Sequence, residues 1–175
     1  MALAEQPAYE YMGLNIDMNF EELQKRHPNT PYQKTAETHS SYFWISAADA
    51  KNGIYAINLQ EGKGYWPKNR AGVTPQLVDF KWLKLSFEKP DALLKTKPKT
   101  WEDSHYFRLP ECVPILTSLI KRYGDPVATN SGWEEQIEWT TYGWESGVET
   151  MNLACERLQG KGISLAMELT LSKPK

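Results

Sequence analysis

The chain has 175 residues, a length that suits one domain or two small halves around a shared core. Hydrophobic residues make up 41% and charged residues 24%, which excludes wholesale disorder. The net charge of −2 excludes a global basic field for nucleic acid, and no apolar run approaches the roughly 18 residues of a membrane span.

In chain order, Tyr9-Glu10-Tyr11-Met12 predicts a short lead-in strand. Asn19 is a helix N-cap with Glu22 in capping-box position, and the helix ends near His27-Pro28. Strands follow near Tyr42–Ser46, Ile54–Gln60 and Asp79–Glu88. Residues 64–75 carry Gly, Pro and Asn punctuation without a clean period, so they read as a protruding loop. Residues 91–105 read as a linker, and Tyr106–Leu109 as a second lead-in. Pro114 opens a second helix with an apolar stripe of Ile115, Leu116, Leu119 and Ile120, which Gly124-Asp125-Pro126 stops. Three further strands lie near Gln136–Tyr142, Glu149–Arg157 and Ile163–Ser172.

The two halves match in order. Leu23–Arg26 aligns with Leu119–Arg122, Trp44 with Trp139, Gly53–Leu59 with Gly147–Leu153, and Lys84–Pro90 with Glu168–Pro174. The expected fold is therefore α+β: two tandem helix-plus-three-strand repeats forming one antiparallel sheet, with the helices packed on one face. The first repeat spans residues 1–90 with the insertion 64–75, and the second spans 106–175.

Alternation sets the faces. Ile57, Leu59, Leu83, Leu85 and Phe87 share an apolar face with Met151, Leu153, Cys155, Leu165, Met167, Leu169 and Leu171. Tyr42, Trp44, Ile137 and Trp139 are assigned to it. The other face is polar in the second half and carries Phe43, Ile45, Ile54 and Trp82 in the first, an apolar patch beside the loop. Either Tyr65 and Trp66 of the loop fold back over this patch, or patch and loop together bind a partner. A register slip of one residue would swap the faces. The candidate binding residues are Trp66, Tyr65, Trp82 and Phe43 as anchors, with Lys68 and Arg70 at the rim.

No catalytic constellation is present. His27 reads as a C-terminal helix cap, while His39 and His105 fall in loop and linker without metal-ligand spacing. There is no nucleophile elbow, P-loop or dinucleotide fingerprint, and no cofactor is expected. Gly62-Lys63-Gly64 and Gly160-Lys161-Gly162 read as hairpin turns, and Lys63, Lys68 and Arg70 suit either a solvated loop tip or contact with a phosphate or an acidic protein surface. Cys112 and Cys155 suit either a disulfide or two buried thiols. Ala2-Leu3-Ala4 fits a signal-peptide remnant, hence a periplasmic or secreted protein, and equally an ordinary cytoplasmic start.

Asp17-Met18-Asn19-Phe20-Glu21-Glu22-Leu23 is similar to the Gly-Met-Thr/Ser-x-x-Glu-Val helix start of the β-lactamase inhibitory proteins and the small outer-membrane assembly lipoproteins. Asp17 stands where Gly is usual, and Val113–Leu119 lacks the motif. The resemblance implies a non-enzymatic module, of inhibitor or assembly-factor type, that binds another protein across an aromatic sheet face. No nucleic acid and no integral membrane segment are expected. The alternatives are a small enzyme or ligand binder with a pocket between helices and sheet, and a phage or pathogen host-interaction protein.

Overall fold

Short polar turns and capping signals punctuate the chain into brief helices and long strands. The computed structural model describes residues 7–37, 40–49, 53–67, 71–87, 112–134, 137–159 and 163–175. β1 (Glu10–Tyr11) and β2 (Leu14–Asn15) pair antiparallel across Met12 and Gly13. Both turn residues have positive φ, 50° and 76°, as a tight primed hairpin turn requires.

α1 (Phe20–Arg26) starts with the capping box read from the sequence. The Glu22 amide donates to Asn19 Oδ1 at 2.9 Å, and the Asn19 amide donates to Glu22 Oε2 at 2.8 Å. At its other end Arg26 donates to the carbonyls of Gly13 and Met12, clamping the β1–β2 turn. α2 (Val113–Tyr123) has Pro114 in its first turn, buries Leu116 and Leu119, and stops at Gly124, where φ is +81°.

After α1 come β3 (Tyr32–Glu37), β4 (Ser40–Asp49), β5 (Ile54–Trp66) and β6 (Gln76–Ser86). After α2 come β7 (Ala128–Glu134), β8 (Ile137–Ser146), β9 (Glu149–Gln159) and β10 (Ile163–Pro174). All eight form one antiparallel sheet in the order β3-β4-β5-β6-β10-β9-β8-β7. Two four-strand meanders therefore meet where β6 pairs with β10, Leu83 opposite Leu171 and Leu85 opposite Leu169.

Two neighbouring rows of paired residues cross the whole sheet. One runs Thr129, Tyr142, Leu153, Leu169, Leu85, Ile57, Ile45, Tyr32. Its Leu153, Leu169, Leu85 and Ile57 are fully buried and share one core with Leu23 of α1 and Leu116 and Leu119 of α2. The next runs Ala128, Gly143, Asn152, Thr170, Lys84, Asn58, Trp44, Gln33 and belongs to the opposite, open face. Period-two alternation across a sheet packed on one side produces this contrast. A disulfide joins Cys112, at the start of α2, to Cys155 in β9, so of the two pairings the cysteines suit, the bonded one is present.

The structure corrects the expected architecture. The chain is mostly β and is not two helix-plus-three-strand repeats. The missed strands, β3 (YQKTAE) and β7 (ATNSGWE), are the two sheet edges. Edge strands are polar where they meet water, so they lack the apolar alternation that reveals a strand. Faces in β4 and β8 are also reversed. Phe43 and Ile45 pair with Leu59 and Ile57, placing them in helix-side register, while Trp44 pairs with Asn58. Trp139, opposite Gly132 and Glu156, is on the open face rather than in the core. The run Tyr-Phe-Trp-Ile at 42–45 has no polar residue to fix its phase, so a slip of one position exchanges the faces. Ile54 is 1% exposed and belongs to the main core. The linker 91–105, Tyr106–Leu109, His39, His105 and Gly160-Lys161-Gly162 lie outside the described residues.

Candidate functional site

The segment 64–75 is only in part a loop. Gly64, Tyr65 and Trp66 continue β5 and pair with Val78, Leu77 and Gln76 of β6. Gly62-Lys63-Gly64 is therefore mid-strand, not a turn. Lys63 Nζ sits 2.6 Å from Asp79 Oδ1 across the hairpin, and that hydrogen bond and charge lower the Asp79 pKa. The hairpin outruns β10, whose last pairing is Pro174 with Phe80.

Alternation on this ribbon sends Trp66, Phe80 and Trp82 to the open face. The Phe80 ring centroid lies 4.9 Å from that of Trp82 and 6.2 Å from that of Trp66. Phe80 is 1% exposed, yet it belongs to no part of the main core. The three rings form a separate aromatic cluster whose centre is sealed by its two tryptophans. Gly64 makes room for it: a Cβ there would stand 3.0 Å from Phe80 Cγ and 3.1 Å from Trp82 Cζ2. Trp66 thus does fold back, but onto Phe80.

Trp66 also has a second side. With Pro67 it forms one wall of a groove of about 210 Å³ on the open face. The floor is the small and polar row Ala128, Gly143 and Asn152, together with Thr150. The far wall is the β8–β9 turn, with Glu145 and Gly147. A ribbon that twists right-handedly beyond its neighbours swings its tip across the sheet, which brings a β5 residue over β8 and β9. Asn152 and Glu145 are exposed at the groove. Thr150 Oγ1 lies 2.6 Å from Ser172 Oγ, which anchors the floor to β10.

Of the residues singled out by sequence, the structure brings Trp66 and Trp82 together. Tyr65 points the other way: it pairs with Leu77 on the helix-side face and is 60% exposed. Phe43 has helix-side register, opposite Leu59. Lys68 and Arg70 lie outside the described residues. His27 is the C-cap of α1. Sequence reasoning missed Phe80, Gly64, Gly143, Asn152 and Glu145. The alternation Gly64-x-Trp66 and Phe80-x-Trp82 on adjacent strands carried the cluster; nothing local announced the groove floor, which comes from distant strands.

Among the described residues, no three His, Cys, Asp or Glu side chains converge as metal ligands, and no helix is long and apolar enough to cross a membrane. Comparison with protein-family models, with curated proteins and with solved structures finds no match.

Proposed function

We propose that this chain is a binding module that takes a protruding segment of another protein into the open-face groove, with Trp66 as its aromatic anchor and Trp82 bracing the cluster behind it through Phe80. The observation that carries this reading is the concavity itself. A half-buried tryptophan overhangs a solvent-open floor of small and polar side chains, and a rigid aromatic beside a recess is the anatomy of a binding hot spot. The separate packing of Phe80 supports it, because it holds the Trp66 ring in place before any partner arrives. Tyr65 and Phe43 are not assigned to this surface. The buried Cys112–Cys155 disulfide supports work in an oxidising compartment, where such bonds form and persist.

The test uses a photo-crosslinking amino acid in place of Val127, an exposed residue at the rim of the groove, in the full chain expressed in its native source. A discrete protein adduct is expected, lost when Trp66→Ala is added and retained when Tyr65→Ala is added. A crosslink insensitive to Trp66, or no adduct at all, would sink the proposal.

A further inference from the structure

The charge of the open face narrows what the groove receives. Its charged residues in the described strands are Lys84, Glu145, Glu156 and Glu168, with Glu37 and Glu134 at open-face register in the two edge strands. Lys84 Nζ already sits 3.4 Å from Glu168 Oε1, and among the described residues no cation forms an ion pair with Glu145 or Glu156. Glu145 lines the groove, and among the described residues no cation pairs with it. The Asn152 amide beside it makes no hydrogen bond among the described residues either. Opposite both stands the indole of Trp66. At about 210 Å³ the groove is smaller than the roughly 300–1,000 Å³ of sites that hold whole small molecules, so it suits one inserted side chain.

A flat cationic group answers each of these features. An aromatic face attracts a cation, most often a guanidinium. A carboxylate accepts its paired N–H donors, and an amide oxygen accepts one more. A lysine ammonium fits less well, because it neither stacks on the indole nor offers a planar fork. We infer that the groove takes an arginine side chain of the partner, its guanidinium stacked on Trp66 and bonded to Glu145 and Asn152. This rests on the binding-module reading and names the chemistry of its partner.

The probe is the tripeptide acetyl-Gly-Arg-Gly-amide, titrated into the isotope-labelled full chain and followed by NMR. Its controls are the same peptide with citrulline, with lysine and with glutamate. Saturable shifts at the Gly143 and Asn152 amides are expected with arginine. Glu145→Gln should weaken binding about tenfold, the worth of a hydrogen bond to a charged group. Because Glu145 is exposed, that variant keeps the wild-type melting temperature. Citrulline or glutamate binding as well as arginine overturns the inference, as does lysine binding more tightly or Glu145→Gln having no effect. A Trp66-dependent protein crosslink without arginine binding overturns this inference alone. Arginine binding without any protein crosslink overturns the binding-module reading instead.

Discussion

At the scale of single residues, Tyr9 shows how burial becomes a pH dependence. It is 5% exposed, and its ring meets Tyr123 edge-on at 5.2 Å. Burial first, then the charges of Glu149 and Glu145, push its pKa up to about 12. The unfolded chain releases this proton near the ordinary value of 10, whereas the folded chain keeps it. The resulting stability is complete below about pH 10 and is lost as pH rises toward 12. Tyr9→Phe should therefore lose less stability than wild type between about pH 9 and 11. Urea unfolding at both values measures this, and parallel losses in the two proteins would refute it. Lys81 has the opposite sign. Burial lowers its pKa, and its Nζ donates to the Met18 carbonyl at 2.6 Å. Keeping it charged costs stability at neutral pH, a cost that fades as pH rises toward the lysine range. Neither burial was legible in the sequence. The capping pair Asn19 and Glu22 was, because its geometry spans three residues of one helix.

At the scale of elements, α2 is held from three sides. Trp144 Nε1 of β8 donates to the Gly124 carbonyl at its C-terminal end, and the Tyr123 hydroxyl exchanges hydrogen bonds with the backbone of Glu10. At its N-terminal end the disulfide ties Cys112 to β9 across 43 residues. Closing a loop of that length removes about 4 kcal/mol of chain entropy from the unfolded state. Reduction with dithiothreitol should therefore lower Tm by on the order of 10 °C for a chain of this size. Calorimetry with and without reductant checks it, and an unchanged Tm under verified thiol release would show that the bond contributes nothing. Element identity was legible where apolar periodicity is strong, as in β9 and β10. It failed at the edges β3 and β7, and strand phase failed in β4, where four successive large apolar residues carry no alternation. The β5–β6 hairpin was read too short, since its pairing runs on through Gly62 and Gly64, whose spacing signals a turn.

At the scale of the whole molecule, the sheet is strongest in its middle. β6 and β10 carry Leu83, Leu85, Leu169 and Leu171, all at or near zero exposure, with paired strands on both sides. The edges β3 and β7 have one neighbour each. Local opening follows burial and pairing, so amide hydrogen exchange should be slowest across 83–85 and 169–171 and fastest in 32–37 and 128–134. Hydrogen-exchange mass spectrometry reads this order directly; equal protection of edge and centre would contradict it. The sequence by itself determined the two helices with their stops and the apolar rows of β5, β6, β9 and β10. These are local patterns, set by periods of 3.6 and 2 and by capping chemistry within a few residues. Only the tertiary structure decided the strand count, the faces of β4 and β8, the disulfide and the groove. Each depends on which distant backbone lies alongside, and pairing register, not local preference, sets what a side chain meets. Trp66 illustrates the division: its presence was plain from composition, but its place over Asn152 follows from a ribbon twisting across three other strands.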